Sequence, residues 1–242
     1  MIRRLGGAVQ FLTILPVHAG DVTLADSAVF FPLVGAVLGA SASGVYLLLA
    51  HLLPAPLSSL IAILFLVLAT GGLHEDGLAD VADAFRAGRP PEKIFAILKD
   101  SRVGAFGALA LIFSILARWQ ALNALGPHST IDLIVSEALP RTALVVLSHI
   151  AKPVGTGLGS ALGTELSRKI SMLAAAQGIA IAFLAEPRLA CALLAGTAAL
   201  LWVARSYFHR RIGGVTGDCL GATGQLVECY CLLTFVCARF IS

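Results

Sequence analysis

Apolar residues run along this chain in seven stretches, at roughly 28–50, 57–73, 104–120, 131–151, 171–186, 188–206 and 219–239. Most approach the ~20 helical residues that span the hydrocarbon core of a bilayer. Helix is the element expected in each, because an open backbone has nothing to hydrogen-bond in lipid. The stretch 171–206 reads either as a hairpin of two spans or as a re-entrant pair. Small residues crowd the first run (Gly35, Ala36, Gly39, Ala40, Gly44), which lets helices approach closely. Ahead of it, Leu5, Val9, Leu12 and Leu15 recur at helical spacing and predict a short helix lying at the interface. Arg3, Arg4 and Val17-His18-Ala19 imitate a cleavable signal peptide, but Gly6, Gly7, Gln10 and Pro16 break its apolar centre, so the segment is expected to be retained. The pattern predicts an all-α, polytopic transmembrane bundle of about seven spans plus an N-terminal interfacial helix. It reads as a single integral membrane domain over 1–242.

Composition strengthens that picture. Hydrophobic residues make up 58% of the 242 positions and charged residues only 13%, about half the usual soluble share; mean hydropathy is +0.90. The net charge of +3 gives no electrostatic ground for nucleic-acid binding. With the N-terminus cytoplasmic, segments 1–27, 74–103, 152–170 and 205–218 face inward and hold 13 of the 17 basic residues. That asymmetry obeys the positive-inside rule. The five cysteines form no C-x-x-C pair, and most sit in apolar runs, where they read as small hydrophobes.

Acidic residues are concentrated instead. Thr70 to Phe85 holds four of the 14 carboxylates: Glu75, Asp76, Asp80 and Asp83. If this stretch is helical, Asp76, Asp80 and Asp83 fall at i, i+4 and i+7 on one narrow face. Three carboxylates side by side repel unless a cation lies between them, and hard oxygen donors suit Mg²⁺ or Mn²⁺. A solvated acidic loop or an acidic helix cap is the alternative. His74 lies about 200° from Asp76 on such a helix, as a substrate group or as a packed interfacial imidazole.

Two further clusters share that side of the membrane. In Lys99-Asp100-Ser101-Arg102-Val103-Gly104-Ala105-Phe106-Gly107, basic residues precede a glycine-rich helix start, which suits either a phosphate or headgroup anchoring. In Arg210-Arg211-Ile212-Gly213-Gly214-Val215-Thr216-Gly217-Asp218, three glycines make a turn that a ligand can approach, with Asp218 at the mouth of a span. Gly155, Gly157 and Gly159 form a weaker glycine-rich stretch. Deeper in the spans, Glu137 and Arg141 are spaced to pair, and Glu228 is a second buried acid. Together these groups suit metal-assisted attack on a phosphoanhydride at a membrane surface.

Over essentially its whole length the chain resembles the cobalamin synthase family, the adenosylcobinamide-GDP ribazoletransferases. The resemblance rests on Phe11-Leu12-Thr13-Ile14-Leu15-Pro16, Phe31-Pro32-Leu33-Val34-Gly35, Gly72 to Asp83, Lys99 to Gly104, and Arg211 to Asp218, in that order. It implies a Mg²⁺-dependent inner-membrane transferase that joins adenosylcobinamide-GDP to α-ribazole or its 5′-phosphate and releases GMP. For that reaction, and on their chemistry rather than on the family name, Glu75, Asp76, Asp80 and Asp83 are the expected metal ligands. Asp83, Asp218 and His74 are the expected catalytic groups, and Lys99, Arg102, Arg211, Gly214 and Thr216 the expected substrate contacts. The expected partners are the corrinoid nucleotide, the ribazole substrate and membrane lipid, with no nucleic acid. Homo-oligomers or association with other cobalamin-assembly enzymes are compatible with it. One departure is Gln225, where many members carry Glu.

Two other classes compete. A CDP-alcohol phosphotransferase also uses spaced aspartates at a membrane face, but its Ala-Arg after Asp-Gly and its wider acidic gaps are absent here. A cation transporter predicts carboxylates deep within the spans, and only Glu137 and Glu228 are candidates.

Overall fold

The computed structural model describes residues 1–86 and 88–241. Twelve α-helices form among them: α1 (Ile2–Leu12), α2 (Leu24–Ser27), α3 (Phe31–Ala50), α4 (Ala55–Thr70), α5 (Leu73–Ala84), α6 (Pro91–Leu98), α7 (Ala105–Leu125), α8 (Thr130–Ile150), α9 (Leu158–Glu165), α10 (Arg168–Ala185), α11 (Ala190–Ile212) and α12 (Gly217–Ile241). Six helical units have the length and hydropathy to cross a membrane: Leu24–Ala50, α7, α8, α10, α11 and α12. The protein is therefore a multi-pass membrane bundle, and 171–206 resolves into two separate long helices, α10 and α11.

The run expected at 57–73 is different. Its helix ends at Thr70, and α4 qualifies as a span only together with α5, which leaves it at 88°. Gly71 and Gly72 make the corner, with φ of 65° and 68°. Two consecutive left-handed residues would cost any other L-amino acid roughly 1–2 kcal/mol each. Their amides close the end of α4, Gly71 N–H on Leu68 O at 3.1 Å and Gly72 N–H on Val67 O at 2.9 Å. We read α4 as the crossing, because α5 carries four carboxylates in its 12 residues and runs across the end of the bundle.

α8 is the central post. Of its span window 78% is buried, against 22% for α10 and α11. Gly35 and Gly39 let α3 lie backbone to backbone against it: a Cβ at Gly35 would sit 2.9 Å from the Glu137 carbonyl carbon, and one at Gly39 2.8 Å from Ile134 Cα. Ala40 and Gly44, from the same small-residue run, do not make this contact and are exposed. On the outside, Leu48, Phe113, Leu184 and Trp202 are exposed, an apolar rim that a bilayer covers.

One end of the bundle carries the polar segments. The presumed loops there are largely helical, α5 and α6 in 74–103 and α9 in 152–170. The strands of chain at 152–154 and 215 pair, with Val154 N–H on Val215 O at 3.0 Å and Val215 N–H on Lys152 O at 2.9 Å. Gly214 permits this pairing, since a Cβ there would meet Val154 Cγ1 at 2.7 Å. α1 packs at the same end by burying Ala8 and Leu12 and by stacking Phe11 on Phe31 at 5.5 Å. Leu15 lies beyond this helix and is exposed, so the interfacial periodicity stops at Leu12.

Candidate active site

The acidic stretch is helical throughout, so Asp76, Asp80 and Asp83 do share one face of α5. Beside that face, α5 is set against α12 by a glycine contact. A Cβ at Gly77 would lie 2.9 Å from Asp218 O and 3.3 Å from Gly221 Cα, and one at Gly221 would lie 3.5 Å from Gly77 Cα. The helices thus touch backbone to backbone, which brings Asp218, at the head of α12, to the aspartates of α5. The Asp80 carboxyl is pushed up to about 6, first by burial and then by Asp76, Asp218 and Asp83 in turn. The negative charge of α5 and that of Asp218 thus both bear on Asp80.

Asp83 is tethered. Gly104 N–H donates to its Oδ2 at 2.7 Å, and a Cβ at Gly104 would lie 2.9 Å from Asp83 Cγ. The glycine-rich start of α7, which from sequence suits either a phosphate or headgroup anchoring, is thus occupied by the chain's own carboxylate. The physical logic is unchanged, because a helix N-terminus accepts any anion.

Among the described residues, no three His, Cys, Asp or Glu side chains converge into a ready metal cage. The donor set nevertheless fits a hard divalent cation. No ion pair neutralises Asp76, Asp80, Asp83 or Asp218 among the described residues. Mg²⁺ keeps several waters and takes only one or two carboxylates directly, so a closed protein cage is not required.

Beside these aspartates lies a cavity of about 300 Å³. His74, Asp76, Lys99, Thr156, Thr216 and Asp218 supply polar side chains to its lining and five glycines supply backbone, while Phe11, Phe31, Phe95, Leu144 and Leu162 supply much of the apolar remainder. Thr216 caps α12, accepting from Cys219 N–H at 3.3 Å, and its hydroxyl donates to Asp218 Oδ2 at 3.3 Å. His74 is 3% exposed, and its buried Nε2 has no hydrogen-bond partner among the described residues. Burial, then the charges of Arg141 and Arg118, hold its pKa well below the ordinary value. The imidazole is therefore neutral, and suited to giving or accepting a hydrogen bond rather than to becoming charged.

Other expected site residues are elsewhere. Glu75 points away from the aspartate face and pairs with Arg118 at 2.9 Å. Arg118, on α7, also meets Glu228 at 3.1 Å, and Gln225 Nε2 donates to Glu228 Oε2 at 3.1 Å. Gln225 and Glu228 thus belong to a buried network rather than to the acidic face. Arg102 reaches back to Asp100 at 2.6 Å and is 87% exposed; this pairing holds the Asp100 carboxyl down at about 2. Arg211 donates to the backbone oxygens of Phe85 at 3.3 Å and Arg86 at 2.8 Å, so it clamps the end of α5. Gly214 serves loop packing. Asp76, Lys99, Thr216, Asp218 and His74 are the expected residues that line the cavity.

Sequence reasoning missed the Arg118 network. An arginine inside an apolar run signals that a partner exists, but not which acid it is. The pairing of Glu137 with Arg141 is present as expected.

The sequence model of the family described as Cobalamin-5-phosphate synthase matches residues 4–236. Curated relatives named adenosylcobinamide-GDP ribazoletransferase include one from Geotalea daltonii, 37% identical over 98% of each chain. Another, from Ralstonia pickettii, is 36% identical over 91% of this chain and 90% of its own. One from Clostridium tetani is 32% identical over 97% and 96%. No solved structure matches. A polytopic helical bundle with carboxylates gathered at one end, matched along nearly its full length by these transferases, belongs to the cobalamin-5-phosphate synthase family.

Proposed function

We propose that the α5–α12 junction is the active centre of an adenosylcobinamide-GDP ribazoletransferase, with Mg²⁺ held by Asp76 and Asp80. The observation that carries this reading is the close backbone contact of Gly77 with Asp218, which sets the aspartates of α5 beside the head of α12, where Asp76 and Asp218 line a cavity. When bound, the cation offsets pyrophosphate charge and makes the phosphorus a better electrophile. Asp83, already hydrogen-bonded to Gly104, completes the acidic face and fixes its distance from α7. Asp218 takes the proton of the ribazole 5′-oxygen, positioned by the Thr216 hydroxyl. The oxygen forms its bond to the corrinoid-side phosphorus, the bridging P–O bond breaks, and GMP leaves. Lys99, at the cavity wall, holds phosphate oxygens. His74, kept neutral, acts as a hydrogen-bonding group rather than as the base.

The basic-residue asymmetry supports a bacterial inner-membrane placement with this end in the cytoplasm, where nucleotide substrates are made. Ion transport is disfavoured, because Glu137 and Glu228, the deep carboxylates, are both engaged by arginines. The test is GMP release by protein in lipid, given adenosylcobinamide-GDP and α-ribazole, with Mg²⁺ or with EDTA. Release dependent on both substrates and on metal, and lost in Asp218→Asn, is expected. Metal-independent release, or full activity in correctly inserted Asp218→Asn, overturns the assignment.

A further inference from the structure

α1 separates two cavities. On one side, Phe11 stacks on Phe31 and lines the cavity beside the aspartates. On the other, Leu5 and Val9 line a larger groove of about 590 Å³, walled otherwise by α3, α4 and the segment 13–15. Val9 and Phe11 are two residues apart, about 200° around a helix, so the two cavities meet opposite faces of α1. The start of α3 is shared in the same way: Phe31 lines the first cavity, Leu33 and Val37 the second.

The side chains of this groove are hydrocarbon apart from Thr13 and Ser41, and both hydroxyls are turned onto the chain itself. Thr13 Oγ1 donates to Val9 O at 2.7 Å and accepts from Leu15 N–H at 3.2 Å, and Ser41 Oγ donates to Val37 O at 2.8 Å. A nucleotide or other polar occupant would lose its hydrogen bonds to water there and gain none from these side chains. Hydrocarbon loses nothing. Leu33, Val37 and Leu68 are exposed, so the groove opens sideways into the apolar rim that the bilayer covers. Its depth is that of one leaflet. The lining on α3 starts at Leu33 and ends at Ser41, about 12 Å at the rise of a helix, against the ~15 Å of hydrocarbon in half a bilayer. On α4 it takes Phe65, Leu68 and Ala69, the last turns before the Gly71-Gly72 corner, so the leaflet is the one at the aspartate end.

We propose that one phospholipid acyl chain from that leaflet seats in this groove and braces α1 from behind as a wall of the catalytic cavity. Packed against Leu5 and Val9, the acyl chain holds the opposite face of α1, with Phe11, onto Phe31. It also lies against the segment 13–15, where Ile14 N–H donates to Ala69 O at 2.9 Å, two residues before the corner that launches α5. The bilayer thereby bears on the geometry of the site. The proposal stands on the groove and on residence in a membrane, whatever the reaction.

The test uses the full chain in phosphatidylethanolamine nanodiscs containing a trace of the same lipid with a photoreactive diazirine on its acyl chain. Sites of crosslinking are mapped by mass spectrometry. Leu184 and Trp202 are more exposed than any residue of the groove, so lipid that merely surrounds the bundle labels them best. A seated acyl chain is expected to reverse that order, with groove residues labelled about fivefold or more above both. Val9→Trp and Val37→Trp each place an indole in the groove and are expected to lower its labelling about fivefold. Leu48→Trp, on the same helix beyond the groove, is expected to leave it within about twofold. The brace is read by hydrogen exchange: removing lipid in detergent is expected to speed exchange of the α1 amides about tenfold, with recovery when phosphatidylethanolamine is returned and no change in α8. Labelling that follows exposure alone, or groove labelling untouched by both tryptophan variants, overturns the seat. Exchange in α1 that is indifferent to lipid overturns the brace. Neither readout involves GMP release, so the outcome is separate from that of the transferase reading.

Discussion

Arg118→Met isolates what holds the active helix in place. The Arg118 side chain is 1% exposed and joins Glu75 of α5, 11% exposed, to Glu228 of α12, 3% exposed. Methionine keeps most of the volume and removes the charge, leaving two carboxylates facing each other in a nearly dry interior. Breaking a buried pair in this way costs about 3–5 kcal/mol, because the remaining charge is uncompensated. Even the lower figure shifts the folded-to-unfolded ratio more than a hundredfold. An exposed pair such as Arg102–Asp100 carries no comparable consequence. Thermal unfolding followed with a thiol-reactive fluorophore, on chains whose exposed Cys191 and Cys237 are replaced by serine, reads this, since Cys219 and Cys231 are buried in the native state. Arg118→Met is expected to expose them at markedly lower temperature and to lose turnover as α5 is released. Adding Glu75→Gln and Glu228→Gln removes the stranded charges and is expected to recover most of the stability. If Arg118→Met unfolds with the unmodified protein, or if the triple variant is no better than the single one, the network does not anchor α5 by charge.

Three further outcomes follow from the geometry. Gly77→Val is expected to abolish turnover while leaving membrane insertion intact, because even its Cβ would sit 2.9 Å from Asp218 O and must push α5 from α12; near-normal GMP release would show that the contact is dispensable. The Asp80 carboxyl, raised to about 6, keeps a proton in the folded state at pH values where the unfolded chain has lost it. Its cost to folding is therefore absent at low pH and grows as pH rises through that window. Cation binding runs the other way, needing the ionised form, so the Mg²⁺ concentration for half-maximal turnover is expected to rise as pH falls below about 6. A requirement unchanged between one pH unit above and one below would exclude Asp80 as a ligand. Finally, Cys191 is exposed at the start of α11, on the side opposite the aspartates in the topology proposed here. An impermeant maleimide is expected to label it from the periplasmic face, and labelling only in inverted vesicles would reverse the orientation.

Membrane residence, helical class and the acidic face were written in the linear sequence, because they depend on local period and on lipid's intolerance of open backbone. Asp76, Asp80 and Asp83 are four and three residues apart, and any helix aligns them. The Gly71-Gly72 corner was visible as two glycines, but its 88° turn required the packing that rewards it. Asp218 stood out only as an acid at the mouth of a span. Its meeting with α5 comes from Gly77 touching the backbone of α12, a contact between residues far apart in sequence. Tertiary structure alone also sorted the similar-looking charges: Glu75 went to Arg118, Asp83 to the amide of Gly104, Arg102 to its neighbour Asp100 and Arg211 to the carbonyls after α5. Residue type states what a group is able to bind. Which partner satisfies it depends on what lies within about 3 Å once burial has removed water as the alternative, and only the packed helices decide that.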